Sequence, residues 1–181
     1  MLKGKTVGLR AIERHDLEKL LTWRNQPNFR KFFREYRELN NDNQNNWFNS
    51  KVISDEHTRM FSIVLLETGE LIGACGLCYI DWQNRCADFS IYIGKDNLYI
   101  DSEYAIDAAK TMIQYGFEEL NLHRLWSEIY DIDNQKQTMF KQLGFTHEAT
   151  HLSTHWTEGK WVNSLYYRYL ETDYFDSKRT Q

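Results

Sequence analysis

Apolar residues follow two different periods along the chain, and each change of period marks a new element. Residues 86–93 alternate in the manner of a strand. From 104 to 120, apolar or small residues recur every three or four positions, as on one buried face of a helix. Residues 125–130 alternate again, and a second helical stripe ends at Gly144, a residue suited to the left-handed conformation that closes helices. The centre of the chain is therefore predicted as strand, helix, strand, helix.

The flanking segments complete a mixed sheet. Asp101 or Ser102 can cap the long helix, and Asp133 or Asn134 the second one. Further elements are predicted as strands at 6–10, 60–67, 71–82, 145–156 and 160–170, a helix at 13–25, and irregular helix from the break at Pro27 to 52. This order predicts an α/β (α+β) fold, a mostly antiparallel sheet of about seven strands flanked by helices. We expect a single domain over 1–175 and a frayed tail over 176–181.

Composition restricts the classes of function. A chain of 181 residues with 41% hydrophobic side chains can bury a sizeable core. Its net charge of −4 argues against nucleic acid as the main partner, because neutralising phosphates requires a basic face. The longest apolar runs, such as 63–66, are too short to span a bilayer, and the N-terminal residues lack the apolar core of a signal peptide. We expect a cytoplasmic protein with no membrane association.

Two sets of potential metal ligands have simpler explanations. Cys75 and Cys78 form a C-x-x-C, but residues three apart on a strand point to opposite faces, which favours core cysteines. His147, His151 and His155 are spaced by four within a predicted strand, where they would share one face yet stand too far apart for one ion. We therefore predict no metal site.

Several short motifs follow one another along the chain in a characteristic order. They are Leu-Arg-Ala-Ile-Glu at 9–13, Leu-Thr-Trp-Arg-Asn at 21–25, Gly-Glu-Leu-Ile-Gly at 69–73, Ala-Asp-Phe-Ser-Ile-Tyr-Ile-Gly at 87–94, residues 115–125, and Phe-Lys-Gln-Leu-Gly-Phe at 140–145. No single motif is specific, but together, in this order and spacing, they cover nearly the whole chain. The succession resembles the GNAT N-acetyltransferase superfamily, most closely the branch that contains the ribosomal-protein N-terminal acetyltransferases.

The resemblance implies acetyl-CoA as the acetyl donor and no metal. A backbone N–H of the strand at 89–93 would stabilise the oxyanion that forms when an amine attacks the thioester. The pyrophosphate would lie on the free N–H groups that open the long helix. The cofactor-binding residues implied are Phe89, Ser90, Ile91, Tyr92 and Ile93 along the strand, Ser102, Glu103, Tyr104 and Ala105 at the helix, and Asn134 and Phe140 near the cofactor arm.

The chain departs from the family pattern at two places. In the phosphate loop, at 100–105, only Ala105 matches: Glu103 replaces a glycine, and Asp101 adds a second negative charge. Each carboxylate should repel a pyrophosphate by about 1 kcal/mol. The tyrosine that commonly protonates the leaving thiolate is replaced by Phe140, and the asparagine of the cofactor arm falls on Asp133 by counting, with Asn134 next to it.

Three residues are candidates for proton transfer. An acceptor amine must lose a proton before it attacks, so a carboxylate near the thioester is expected. Asp88 is the first choice as base, although a strand aspartate is commonly a plain hydrogen-bonding residue. Glu128 on the neighbouring strand is the reserve, unless it pairs with Arg124 or a cross-strand partner. Tyr130 is the nearby hydroxyl that could replace the missing acid.

A basic and aromatic segment at 24–37 has two interpretations. It is either an amphipathic segment with solvated charges or the rim of an acceptor pocket. The substrate-binding candidates are Trp23, Arg24, Asn25, Tyr36, Tyr79 and Trp156. The sequence thus predicts direct acetyl transfer, in a ternary complex, to a primary amine of a small molecule (amino sugar, antibiotic or polyamine) or to a protein N-terminus. The alternative is a GNAT-fold scaffold or binding protein with little CoA affinity; a homodimer is compatible with either.

Overall fold

An eight-stranded sheet forms the centre of the molecule, for which a computed structural model describes residues 1–179. Its spatial order is β1-β2-β3-β4-β5-β6-β8-β7, and every neighbouring pair is antiparallel except β5 and β6. The predicted α/β fold is confirmed, with eight strands where about seven were expected; the first is only two residues long. The strands are β1 Leu2–Lys3, β2 Val7–Ala11, β3 Arg59–Leu65, β4 Leu71–Asp81, β5 Cys86–Ile93, β6 Arg124–Tyr130, β7 Thr146–Thr157 and β8 Lys160–Leu170.

Helices cover both faces of this sheet. The break predicted at Pro27 is present: one helix ends at Asn25, and Pro27 begins a separate short helix, because proline lacks only an N–H that the first turn leaves unpaired. The last helix includes residues 176–179, which the sequence assigned to a frayed tail; 180 and 181 lie outside the described residues. Within 1–179, no helix has the length and apolar composition needed to cross a bilayer. The helices are α1 Leu17–Asn25, α2 Pro27–Arg30, α3 Asn41–Trp47, α4 Tyr104–Gln114, α5 Asn134–Leu143 and α6 Glu171–Arg179.

The two faces of β5 pack against different helices. Tyr92 contacts aromatic rings of the α1–α2 region, with its centroid 6.5 Å from that of Trp23. Phe89, on the opposite face, lies among the aromatic rings at the end of α5, 6.2 Å from Phe140. The buried stripe of α4 covers this second face, as the sequence predicts. Strand β5 is therefore the middle layer, with α1 to α3 on one side and α4 and α5 on the other.

Strands β5 and β6 pair only at their beginnings. Their parallel register runs from Cys86 opposite Arg124 to Asp88 opposite Trp126 and then stops. Beyond it, the Ser127 hydroxyl donates a 3.0 Å hydrogen bond to the Phe89 carbonyl. Gly94 N–H donates to a β4 carbonyl, so strand alternation turns the backbone N–H and C=O of Ile91 away from β4, toward β6. A gap thus opens inside the sheet, lined by backbone groups of β5.

The β7–β8 hairpin corrects one expectation about the histidines. Strand β7 contains two register shifts, one between His147 and Ala149. As a result, His147 packs against Tyr167, while His151 packs against Tyr166, its neighbour on the other face of β8. The three histidines therefore do not share a face, because a bulge reverses the alternation that the spacing assumed.

A single carboxylate fastens the N-terminal turn to α4. Asp107 accepts hydrogen bonds from the backbone N–H groups of Lys5, Thr6 and Val7, at 2.9, 2.8 and 3.0 Å. A Cβ atom at Gly4 would lie 2.5 Å from this carboxylate, so a larger residue at that position would have to displace the Asp107 side chain. These contacts hold the pKa of Asp107 below its ordinary value despite the opposing effect of burial.

Candidate active site

A continuous groove crosses the sheet face that α1 to α3 cover. It consists of two adjoining cavities of about 300 and 310 Å³, which share the lining residues Arg24, Glu35, Trp47 and Lys51. One end, which we call the gap end, reaches the opening between β5 and β6. The other, the α3 end, runs beneath the start of α3. The gap end is lined by Arg34, Tyr79, Asp88, Ser90, Ser127, Glu128 and Lys136, and the α3 end by Leu20, Arg37, Leu39, Asn43, Gln44 and Tyr92, among others.

Asp88 is the buried carboxylate of the gap end. Burial raises its pKa from 3.8 to about 6, against the opposing effect of the Arg34 guanidinium. Arg34 donates a 2.8 Å hydrogen bond to Asp88 Oδ2. A carboxyl that titrates near pH 6 is ionised at neutral pH, yet it is a stronger base than an ordinary aspartate. The residue predicted first as the base therefore lies in the groove.

Arg34 connects the two carboxylates that the sequence proposed. Its Nε lies 3.3 Å from Glu128 Oε2, and Glu128 also accepts a 2.6 Å hydrogen bond from the Ser164 hydroxyl. The sequence offered Arg124 as the partner of Glu128, but Arg124 pairs with Glu148 instead. Arg34 comes from the loop between α2 and α3, so the basic segment does reach into the groove.

Lys136 is the unforeseen cation of the gap end. Its side chain is 8% exposed, and within residues 1–179 its ammonium has no carboxylate within ion-pair distance and no hydrogen-bond partner. It lies 5.4 Å from the centre of the Tyr99 ring, and burial lowers its pKa. A signal was present in the sequence: Lys136 stands three and four positions before Met139 and Phe140, on the buried stripe of α5. A lysine on an apolar stripe indicates a special role more often than a solvated charge does.

The first amides of α4 are already hydrogen-bonded. The Asp101 carboxylate accepts from the N–H groups of Glu103, Tyr104 and Ala105, at 2.9, 2.8 and 2.7 Å. Asp101 was one of two predicted caps, and it fills the place that the resemblance gave to a pyrophosphate. Ser102 and Glu103 have exposed side chains, outside this cap. These amides can receive a phosphate only after Asp101 turns away.

The chain also folds back along the gap just after β5. Ile93 and Tyr99 exchange backbone hydrogen bonds of 2.7 and 2.8 Å, and the Tyr99 hydroxyl donates a 2.6 Å bond to Asp133. Asp133 caps α5 by accepting from Lys136 N–H, as predicted. The backbone of Ile91 stays open, whereas that of Ile93 is paired. The gap therefore fits an extended pantetheine arm over a shorter stretch than the five residues predicted.

Asn134 and Ser102 meet in a separate surface depression. It lies between the beginnings of α4 and α5, next to Asp101, and its floor is formed by Ile100 and Ile106. This depression adjoins the far end of the gap through Asp133, the cap of α5.

Phe140, predicted to contact the cofactor, and Tyr130, predicted as the acid, both lie outside the groove. Phe140 is fully buried, with ring centroids 4.8 Å from Phe145 and 5.3 Å from Tyr167, so it is a core residue and not a cofactor contact. Tyr130 stacks on His155 at 3.8 Å and does not line the groove. Burial raises the Tyr130 pKa to about 12, which makes it a poor acid for a thiolate.

The substrate-binding candidates separate into three groups. Arg24 and Tyr79 line the groove, as expected. Trp23 lies in the core, against Gly94, where a Cβ atom would come within 1.9 Å of its ring. Asn25 uses its side-chain amide to hold the backbone of Leu39. The remaining two candidates, Tyr36 and Trp156, line a different depression.

Neither the cysteines of the C-x-x-C nor the potential metal ligands of the described residues form a reactive or metal-binding group. Burial raises the pKa of the Cys75 thiol far above its usual range and that of Cys78 to about 12, so neither is a ready nucleophile. In the part of the chain that the structure describes, no three His, Cys, Asp or Glu residues are grouped to hold a metal ion.

Comparisons with known proteins agree with this geometry. The family described as "Acetyltransferase (GNAT) domain" matches residues 6–146. Spermidine N(1)-acetyltransferase of Escherichia coli K12 is 29% identical, over 99% of this chain and 94% of its own length. The uncharacterised N-acetyltransferase p20 of Bacillus licheniformis is 27% identical over 63% of each chain. The motifs indicated the branch of the ribosomal-protein acetyltransferases, but the names of these relatives do not support that branch.

A solved structure gives the same picture of the fold. Spermidine N-acetyltransferase from Vibrio cholerae, in complex with CoA and spermine, superposes with a TM-score of 0.85 and 23% sequence identity. The match covers 94% of this chain and 98% of the other. The chain therefore belongs to the GNAT acetyltransferase family and is an acetyl-CoA-dependent N-acetyltransferase.

Proposed function

We propose that the protein acetylates a primary amine of a small molecule that binds in the groove, with its amine at the gap end. The observation that carries this proposal is the position of Asp88. A buried carboxylate with a pKa of about 6, held by Arg34, stands where β5 and β6 separate. Among the described residues that line the groove, Asp88 is the buried carboxylate.

Asp88 accepts the proton that the ammonium of the acceptor must lose. Acetyl-CoA supplies an acetyl group activated as a thioester. The backbone N–H of Ile91 donates to the carbonyl oxygen as its negative charge develops. A bond forms between the amine nitrogen and the acetyl carbon, the carbon–sulfur bond breaks, and the sulfur departs with the electron pair. The nitrogen then loses its second proton to solvent, which leaves the neutral amide.

Lys136 replaces the tyrosine acid that this chain lacks. Its ammonium lies at the gap end and has no ion-pair partner among the described residues. It stabilises the negative charge of the departing thiolate and donates the proton that converts the thiolate to a thiol. Burial lowers the Lys136 pKa, which makes this proton easier to transfer. Glu128 keeps Arg34, and through it Asp88, in position.

The groove favours a small molecule over a protein N-terminus. The loop that carries Arg34 crosses the gap end, and its guanidinium contacts Tyr79 and Trp126 on either side of the groove, 5.8 and 5.9 Å from their rings. An extended polypeptide would have to displace this loop. Relatives named for spermidine acetylation also support a small amine. Spermidine therefore belongs in the panel of small amines to be tested, together with amino sugars.

Two measurements test the proposal. Thiol release from acetyl-CoA is followed with a panel of amines, comparing the wild type with Asp88→Asn, which retains the shape of the side chain but cannot accept the proton. We expect a 10²- to 10⁴-fold loss of kcat in the variant, the usual range for a general base. An equal rate in both proteins would exclude Asp88. Absence of CoA binding by calorimetry, in the wild type and after Asp101→Ser, would instead support the scaffold alternative.

Self-association and a cytoplasmic location are also proposed. The β7–β8 hairpin exposes Leu152, Trp156 and Trp161, by 75%, 57% and 60%, a patch suited to self-association. A spermidine N-acetyltransferase from Vibrio cholerae has been solved as a dodecamer. We propose a homo-oligomer, which Trp161→Glu would dissociate in sedimentation experiments; a monomeric wild type would contradict it. A cytoplasmic location remains a proposal.

A further inference from the structure

The balance of charge differs between the two ends of the groove. At the gap end, the carboxylates of Asp88 and Glu128 stand beside two cations, Arg34 and Lys136. Toward the α3 end, three cations line the cavity, Arg24, Arg37 and Lys51, and Glu35 is the carboxylate among them. A ligand that spans the groove thus meets balanced charge at one end and an excess of positive charge at the other.

Arg24 is the cation of the α3 end that has no ion-pair partner among the described residues. Lys51 bonds Asp55 at 3.1 Å and Arg37 bonds Glu35 at 2.7 Å. Arg24 has no ion pair or hydrogen bond within residues 1–179, and its guanidinium lies over the Phe33 ring at 4.9 Å. It lines both cavities and is half-buried. A half-buried guanidinium with five free donors, held in place by an aromatic ring, is prepared to bind a carboxylate or phosphate.

A polyamine does not match this arrangement. When one ammonium reaches Asp88, the remaining ammonium groups of an extended polyamine lie along the groove, toward Arg24, Arg37 and Lys51. These ammonium groups would then lie near side chains of the same charge, which repel them. A molecule with an amine at one end and an anionic group at the other places each charge beside its opposite.

We propose that the acceptor is an amine that also carries an anionic group, a carboxylate or a phosphate, and that Arg24 binds this group. The inference rests on the proposed function and narrows it to one class of acceptor. Arg37 and Lys51 add positive charge around the same position, while Glu35 holds Arg37 in place. Acetylation then removes the positive charge of the amine and leaves a product that is purely anionic.

A matched series of amines tests the proposal. Hexylamine, 6-aminohexanoate and 1,6-diaminohexane share one chain length and carry neutral, negative and positive far ends. Glucosamine and glucosamine 6-phosphate form a second pair that distinguishes phosphate from carboxylate. We expect kcat/KM for the anionic member to exceed that of its neutral partner by at least about tenfold, the usual effect of a hydrogen bond to a charged group. The diamine should be the poorest of the hexyl series.

Variants of Arg24 show whether the preference arises there. In Arg24→Gln, the ratio of kcat/KM for the anionic amine to that for hexylamine should fall to about threefold or less, through KM of the anionic amine. Lys110→Gln, on the exposed side of α4 across the sheet, removes one positive charge elsewhere and should retain the full preference. A diamine preferred over 6-aminohexanoate, or a preference that persists in Arg24→Gln, would overturn the proposal.

Binding without turnover separates this inference from the proposed function. Calorimetry with 6-aminohexanoate and with glucosamine 6-phosphate, in the absence of acetyl-CoA, measures occupancy of the groove directly. Binding of either ligand that is lost in Arg24→Gln supports an anion site even when no amine is acetylated, in which case only the proposed function fails. Failure of the wild type to bind both anionic amines, while it binds or acetylates spermidine, rejects the anion site and leaves the transferase standing.

Discussion

The guanidinium of Arg34 donates a 2.8 Å hydrogen bond to the carboxylate of Asp88, across 54 positions of the sequence. The contact joins a loop over the groove to the strand at the edge of the gap. It has two consequences for Asp88: the guanidinium restrains the carboxylate, and its positive charge opposes the rise in pKa that burial causes. Removal of Arg34 should therefore be visible in a pH profile.

The first prediction concerns this profile. Asp88 is active as a base only when ionised, so kcat/KM of the wild type should rise with pH through about 6, the pKa of its buried carboxyl. In Arg34→Gln the favourable charge is lost, the Asp88 pKa rises further, and the acid limb should move to higher pH. Arg30→Gln is the control, because Arg30 pairs with Glu38 outside the groove. An unchanged limb in Arg34→Gln would show that Asp88 does not control the rate.

A second prediction concerns the cap of α4. Because the Asp101 carboxylate occupies the amides that a pyrophosphate would use, replacing it should strengthen CoA binding. Asp101→Asn removes the charge and Asp101→Ala removes the side-chain acceptor as well. We expect both variants to bind CoA more tightly than the wild type, by about fivefold for each kcal/mol of charge repulsion that the substitution removes. Asp101→Ala should also lose about 1 kcal/mol of stability with its cap. Calorimetry with CoA decides; weaker binding in both variants would mean that Asp101 assists the cofactor.

The third prediction isolates Lys136. Lys136→Met retains the length of the side chain and removes its charge, so kcat should fall by about 10²-fold if the ammonium protonates the thiolate. The variant should be at least as stable as the wild type, because burying an unpaired ammonium is unfavourable. An acetyl thioester of an aromatic thiol, which leaves without a proton, should react equally with both proteins. An equal loss with both donors would assign Lys136 a structural role.

A fourth prediction concerns folding. Asp107→Ala leaves three backbone N–H groups without their acceptor, and we expect about 2 kcal/mol lower stability in urea at pH 7. Since the folded pKa of Asp107 is depressed, its contribution is complete above the unfolded pKa of about 3.9 and disappears as the pH falls through the folded value. The difference from wild type should therefore shrink in acid. Asp42→Ala, at an exposed position of α3, should change stability little at either pH; a comparable loss there would discredit the assignment.

Sequence patterns predicted most elements correctly because local periodicity determines them. The buried stripe of α4, the Asp133 cap of α5 and the left-handed Gly144 follow from residues within a few positions of one another. The order of these elements was enough to recognise the family. Asp88 was selected because it shares a strand face with Ser90 and Tyr92 and because the family resemblance implies a carboxylate there; the structure places it in the groove, and its role as the base is a proposal.

The remaining features depend on contacts between distant segments. Nothing local shows that Arg34 crosses to Asp88, or that the bulges of β7 bring His155 onto Tyr130 and withdraw its hydroxyl from the groove. Phe140 was given to the cofactor by counting along a motif, whereas packing places it in the core. Lys136 was missed although its place on the apolar stripe could be read, because the stripe was defined by its apolar members alone.

The early separation of β5 from β6 sets a limit on how stable this protein can become. Continuing the ladder beyond Asp88 and Trp126 would add interstrand hydrogen bonds and tighten the centre of the sheet. The same change would close the gap in which we propose that acetyl-CoA and the acceptor amine meet. Laboratory selection for thermal stability should therefore yield substitutions away from the gap. Any substitution that extends the pairing of β5 with β6 should give a more stable protein without activity.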